Sequence, residues 1–241
     1  MKVQILACTP NLEEIIATGA KTCYSKLTLT ELADKTLDSD NEAFIQRIMS
    51  SGHNSILEHG VITFSIEGVS RVLLAQLTRH RHASFSVASQ RYIPLKDAFS
   101  YTTPQAIQNH SQALNLYNMA IKEAFHSYNS IVDMLINQYL DEDDDFMTAE
   151  KKAIEDARYV LPNATNTQLV MTMNVRELLH FFSLRDCRRS QAEIQELAGE
   201  MMKLCKEIAP TIFKTAGAPC IRGKCPEGKM ACGNPKGVKN E

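Results

Sequence analysis

The sequence predicts a helix-rich α+β fold in a single domain. Three observations lead there. Apolar residues recur at helical spacing in several separate stretches, above all 105–140, 175–185 and 190–208. Two short runs, VITFSIE at 61–67 and QLVMTMN at 168–174, read as strands lying between those helices. The chain has no internal repeat, and helices outnumber strands without a regular βαβ alternation.

Each element has its own local reason. Residues 3–7 read as a short strand. Asn11 is placed to cap a helix over LEEIIATGA, which carries Glu in its first turn and Gly near its end. Residues 41–50 form a second short helical pattern, stopped at Gly52. Along 61–67, Ile62, Phe64 and Ile66 alternate with Val61, Thr63 and Ser65, a period of two that buries one face; Gly68 then breaks the strand. Val69, Val72, Leu73, Gln76, Leu77 and His80 return to helical spacing, followed by a loop to Pro94. The long pattern over 105–140 includes Ala113, Leu116, Tyr117, Ala120 and Ala124. DEDDD at 141–145 is a solvated connection, because so dense an acidic run cannot be buried. A helix over about 148–160 ends before Pro162. VRELLHFFSLR and SQAEIQELAGEMMKLCKEI are two further amphipathic helices.

Residues 210–241 change character. They hold five of the chain's ten glycines, four of its eight prolines and three cysteines, so they read as a loop-rich tail behind a domain spanning 1–209.

The totals limit the function classes. The chain has 241 residues, 44% of them hydrophobic, enough for one substantial core. Its formal net charge is -2, which argues against an electrostatic coat on nucleic acid. The N-terminal apolar run is too short for a signal-peptide core, and no run approaches the roughly 20 apolar residues of a membrane span. Seven scattered cysteines do not form a secreted disulfide framework. These features predict a soluble cytoplasmic protein.

Against that acidic background stands RHRHASFSVASQRY, residues 79–92. It gathers three arginines, two histidines and three serines with no acid among them. Arginine supplies a planar, permanently charged fork that fits two oxygens of a phosphate, and serine hydroxyls and loop N–H groups complete such sites. Arg79, Arg81 and Arg91 with Ser84, Ser86 and Ser89 are therefore an anion site or, alternatively, an exposed basic loop.

Three other groups carry candidate chemistry. GHNSILEH at 52–59 offers His53, Glu58 and His59 to a metal, but histidines six apart point ~120° away from each other on a helix. Hydrogen bonding to backbone or ligand suits them better. Arg176 and His180 are four apart and share a helix face, while Arg185, nine on from Arg176, falls on the opposite side of an ideal helix. Arg158, Asn174 and these three are ligand residues or solvated helix positions. Cys220, Cys225 and Cys232 sit in PCIRGKCPEGKMACG among Gly and Pro, as in a metal knuckle, yet no fourth ligand is evident, so a reduced tail without metal is expected.

With these residues in view, the chain resembles the flavin-dependent thymidylate synthases. Arg79-His80-Arg81, then Ser84, Ser89, Arg91 and Tyr92, match that family's RHRxxSxxxxSxRY signature. GHNSILEH, QLTRHR, ARYVLPN from Ala157 and NVRELLHFFSLR from Asn174 follow in the family's order, covering most of 45–200. The resemblance implies a helix-rich fold with a small central β-sheet. It also implies conversion of dUMP to dTMP with 5,10-methylenetetrahydrofolate as carbon donor, FAD as hydride carrier and NADPH as reductant. FAD would be held by His53, Ser55, Arg79, His80, Arg81, Asn174, Arg176 and His180. The nucleotide dUMP would be held by Gln76, Arg79, Ser89, Gln90, Arg91, Arg158 and Arg185, with Arg185 beside the uracil ring as the catalytic cation. Homotetramers sharing active sites between subunits are the family's assembly. No metal, nucleic acid or membrane enters this scheme. Two positions depart from the pattern: Ser86 and Val87 stand where many members have Asn and Glu, which removes an acidic ligand contact.

Competing readings of the same residues are a non-enzymatic nucleotide-binding module built on the Arg/Ser loop, and a metal-dependent hydrolase built on His53, His59, His80 and His82. Neither accounts for the order of the separate blocks.

Overall fold

Helices and strands follow one another in the computed structural model as β1 (Lys2–Cys8), α1 (Leu12–Thr22), α2 (Leu29–Leu37), α3 (Glu42–Ser50), β2 (Val61–Ser70), α4 (Arg71–Leu77) and β3 (Ala83–Val87). Then come α5 (Gln105–Gln108), α6 (Ser111–Asp141), α7 (Phe146–Ala157), β4 (Asn166–Asn174), α8 (Val175–Arg185), α9 (Ala192–Ile208) and α10 (Pro210–Phe213). The structure describes residues 1–37, 39–93, 95 and 100–237. The four strands form one sheet in the order β1-β2-β4-β3. The predicted helix-rich α+β class is therefore the one observed.

The chain divides into two compact units. The first comprises Met1–Ile66, Gln76–Phe85 and the described chain from Val170 onward; the second comprises Glu67–Ala75 and Ser86–Leu169. The described part of the tail, 210–237, lies in the first unit.

In the first unit the alternation read from β2 holds: Ile62, Phe64 and Ile66 are fully buried, while Thr63 and Ser65 face the other way. Thr63 and Thr172 pair their hydroxyls at 2.9 Å between β2 and β4. The core of this unit includes an aromatic run. Phe181 and Phe182 on α8 and Phe213 on α10 stack edge to face, with centroids 5.7 and 6.1 Å apart. Glu13 on α1 accepts the Thr211 and Ile212 N–H groups at 2.7 and 3.2 Å, capping the start of α10.

In the second unit α6 packs on α7. Tyr128, Val132 and Ile136 recur about once per turn and bury against Ala153, Ile154 and Ala157. Asp145, the last residue of the acidic run, caps α7: its carboxylate accepts the N–H groups of Met147 and Thr148 at 3.0 and 3.1 Å.

Several sequence expectations need correcting. Asn11 precedes α1 but adopts φ 47°, ψ 52° and makes no side-chain cap. Gly68 does not end β2; it takes φ 69° within the strand, after which the buried face shifts by one residue, as at a β-bulge. Helix α4 ends at Leu77, so His80 lies beyond it. The expected loop toward Pro94 contains strand β3, and Pro94 itself lies outside the described residues. Leu116 lies in α6 as the helical pattern placed it, but it is exposed, and the buried residues of that helix begin at Ile121.

Candidate active site

In the first unit, the expected flavin residues of α8 surround one cavity. Asn174 is the N-cap of that helix, and its Oδ1 accepts the Glu177 N–H at 2.8 Å. Two and six residues on, Arg176 and His180 line the same cavity, of about 570 Å³. Asn54, Glu58, His82, Ser183 and the tail residue Arg222 also line it. Arg176 pairs with Glu58 at 2.5 Å, but both side chains are about half exposed, so the pair is worth about 0–1 kcal/mol and yields readily to an anion. The wall joins guanidinium, imidazole and amide groups to two carboxylates, Glu58 paired with Arg176 and Glu177 paired with His80, and its donors suit a phosphate-bearing flavin nucleotide.

His53, Ser55, Arg79 and Arg81 are exposed and do not line that cavity. His80 does not line it either. It is buried at 5% exposure, and its ring lies edge-on to Phe181 with centroids 5.0 Å apart. Its Nε2 takes a hydrogen bond from Arg185 Nε at 3.1 Å, and its Nδ1 lies 3.0 Å from Glu177 Oε1. Arginine has only donors, so Nε2 must accept and Nδ1 must carry the proton that Glu177 receives. Burial lowers the His80 pKa first, the Glu177 hydrogen bond opposes it, and the Arg185 charge lowers it again. A neutral ring satisfies all of these contacts.

Arg185 ends α8, and the helix runs unbroken from Val175, so Arg185 and Arg176 sit apart as the ideal-helix reading required. Its Nη2 reaches toward the Gln76 carbonyl at 3.5 Å. Burial, then the charge of Arg79, lowers its pKa, and among the described residues no carboxylate pairs with it. The result is a partly buried cation held in place and not neutralised.

In the second unit, Ser89 and Gln90 line a cavity of about 320 Å³. Ser89 Oγ accepts the Arg91 N–H at 3.2 Å and shapes the turn after β3. Arg91 Nη2 donates to Glu155 Oε2 at 3.0 Å, its Nε lies 2.8 Å from Oε1 as an ion pair without hydrogen-bond geometry, and the Glu155 hydrogen bond is the main reason its pKa rises. Arg158 donates to the backbone carbonyl of the same Glu155 at 3.1 Å. Among the described residues the Glu155 carboxylate thus holds Arg91 alone, and neither Arg91 nor Arg158 lines the cavity of Ser89 and Gln90.

The sequence reading missed two residues of this second cavity. Arg71 Nη2 donates to the Ala88 carbonyl at 3.0 Å, yet its Nε is buried without a hydrogen-bond partner. Thr167 is 7% exposed and its hydroxyl is likewise without a partner. Burial lowers the Arg71 pKa, and the Arg158 charge adds to the effect. Buried donors of this kind are costly unless a ligand satisfies them. Only their line-up in the fold reveals them, since Arg71 reads in sequence as the opening residue of a helix.

The tail cysteines acquire the neighbour that spacing alone did not provide. Cys187 lines a cavity of about 410 Å³ with Cys220, Cys225 and Cys232. All seven cysteines are free, and among the described residues no three His, Cys, Asp or Glu side chains are grouped so as to hold a metal ion. No described helix is long and apolar enough to cross a membrane.

The family model described as thymidylate synthase complementing protein matches residues 4–211. The flavin-dependent thymidylate synthase of Clostridium tetani is 44% identical over 239 residues, covering 99% of this chain and 96% of that one. Its counterpart from Geobacter sulfurreducens is 43% identical over 240 residues, covering 99% and 97%. Among solved structures, the UMP/dUMP methylase PolB from Streptomyces cacaoi, bound with 5-Br dUMP, shares the fold with a TM-score of 0.68 at 24% identity, covering 88% of this chain and 93% of that one. The chain belongs to the flavin-dependent thymidylate synthase family.

Proposed function

We propose that this protein is a flavin-dependent thymidylate synthase that reductively methylates dUMP to dTMP. The observation that carries the reading is Arg185: a partly buried guanidinium, fixed by His80 and opposed by no described carboxylate. Carbon 5 of uracil is a weak nucleophile. A cation held beside the ring stabilises the negative charge that builds as N3 loses its proton or as carbon 5 attacks. Arginine keeps its charge under burial, which lysine does not do reliably.

The remaining residues divide by task. Asn174, Arg176 and His180 hold FAD, with His53, Ser55, Arg79, His80 and Arg81 assigned to the same cofactor by family pattern. Bound FAD, reduced by NADPH, supplies the hydride, and 5,10-methylenetetrahydrofolate supplies the carbon. Gln76, Arg79, Ser89, Gln90, Arg91 and Arg158 hold dUMP, joined by Arg71 and Thr167 through their unsatisfied buried groups. Ser89 binds rather than attacks: its hydroxyl is engaged with the Arg91 N–H, and the motif offers it no general base. A homotetramer with active sites shared between subunits completes the proposal.

The test is direct. Purified protein incubated with FAD, NADPH, dUMP and methylenetetrahydrofolate is expected to form dTMP, read by chromatography of the nucleotides. Absence of dTMP from a flavin-loaded, folded preparation contradicts the reading.

A further inference from the structure

Glu177 is an acid on the buried side of α8, at the edge of the Asn174–Arg176–His180 cavity. Its neighbours on α8, Leu178, Phe181 and Phe182, are fully buried, and Glu177 itself is only 8% exposed. A carboxylate in such a place is costly unless its oxygens are satisfied. It sits three residues after the N-cap Asn174, where a glutamate commonly reaches back to the cap. Here it turns instead to His80, 97 residues away in sequence.

We propose that Glu177 is a positioning residue for the methylation: by accepting the Nδ1 proton of His80, it holds the ring in the tautomer whose Nε2 receives Arg185. This rests on the reading of Arg185 as the cation beside the pyrimidine. The chain Glu177–His80–Arg185 has one consistent polarity. Arg185 Nε–H donates to Nε2 at 3.1 Å, and Nδ1–H donates to the carboxylate at 3.0 Å. The other neutral tautomer, or the imidazolium, would set an N–H of His80 against the N–H of Arg185. Two donors at that distance repel, and the guanidinium would swing away. Burial of the ring favours its neutral form, which agrees with the geometry. The logic is that of an acid orienting a catalytic imidazole, with arginine in the place of the nucleophile.

The experiment is nitrogen-15 NMR of the full-length protein carrying labelled histidine, with steady-state kinetics of two variants. In the wild type, His80 is expected to show a protonated Nδ1 and a bare Nε2. Glu177→Ala is expected to shift the ring toward the Nε2–H form. It should also lower kcat, measured at saturating FAD because Glu177 borders the Asn174–Arg176–His180 cavity, about 10- to 100-fold, the usual cost of removing a group that orients a functional side chain, with the KM for dUMP little changed. Glu177→Gln, whose carboxamide oxygen can take the same proton, is expected to keep the wild-type tautomer and recover most of the kcat. A wild-type ring protonated at Nε2, an undiminished kcat in Glu177→Ala, or a Glu177→Gln as slow as the alanine variant overturns the proposal. If the wild type makes no dTMP, the functional reading fails, while the nitrogen shifts still decide the tautomer.

Discussion

Replacing Arg185 by alanine removes a guanidinium that the protein holds but does not neutralise, anchored at 3.1 Å on His80 Nε2. The size of the effect follows from where that charge sits. A unit charge about 4 Å from a developing anion, at an effective dielectric near 20, is worth about 4 kcal/mol. Loss of one preorganised group aimed at transition-state charge typically costs about 3–4 kcal/mol, in agreement with that figure. At about 1.4 kcal/mol per decade, kcat should fall by roughly 10²- to 10³-fold. Flavin should remain bound, because Arg185 does not line the Asn174–Arg176–His180 cavity. The KM for dUMP should change far less than kcat, since the lost interaction strengthens in the transition state. Flavin absorbance of the purified variant and initial rates of dTMP formation measure both quantities. Near-normal turnover, or loss of flavin in a folded variant, would refute the assignment.

Three further outcomes are expected. Arg71→Ala should raise the KM for dUMP by roughly 10- to 100-fold, because a hydrogen bond to a charged group is worth about 1.5–3 kcal/mol, while Arg71→Lys should recover part of it; unchanged KM values would remove Arg71 from the nucleotide site. His80 should make the protein acid-sensitive. Its folded pKa is lowered, so below about pH 6.5 the unfolded chain takes up a proton that the folded ring refuses, and stability falls as pH falls through that window. Thermal midpoints from pH 7.5 down to 5.5 should show this slope in the wild type and a flatter one in His80→Gln. Asp145→Ala removes the cap of α7 and should lower the urea midpoint with activity retained, because only backbone N–H groups and Thr148 lose a partner; an unchanged midpoint would contradict the capping role.

Much of the fold was legible because its signals are local. The period-two run of β2 and the 3.6-period faces of α8 and α9 depend on neighbours in sequence, and they formed where the spacing placed them. Strand β3 was hidden by its own chemistry. Ala83, Phe85 and Val87 are half-buried and alternate with exposed Ser84 and Ser86, yet they lie inside a run that reads first as a basic loop. Asn11 failed as a cap because residue type names a preference while the backbone entering α1 demanded a left-handed turn.

The site was legible in its residue types and much less so in its partnerships. The arginines and histidines of the signature could be named from sequence. That His80 turns inward to Arg185, that Arg91 pairs with Glu155, and that Glu177 is a buried acid all depend on contacts between residues far apart in the chain. Arg71 and Thr167 are the extreme case, since what marks them is an unmet hydrogen bond, and no sequence displays that.

The most direct measurement is anaerobic. The visible spectrum of the protein with added FAD is recorded, and its bleaching by NADPH is followed with and without dUMP. Bound flavin that bleaches faster when dUMP is present is the predicted result, because it couples the nucleotide to flavin reduction in one working enzyme. A protein that binds no flavin, or whose bound flavin is not reduced by NADPH under either condition, contradicts the account.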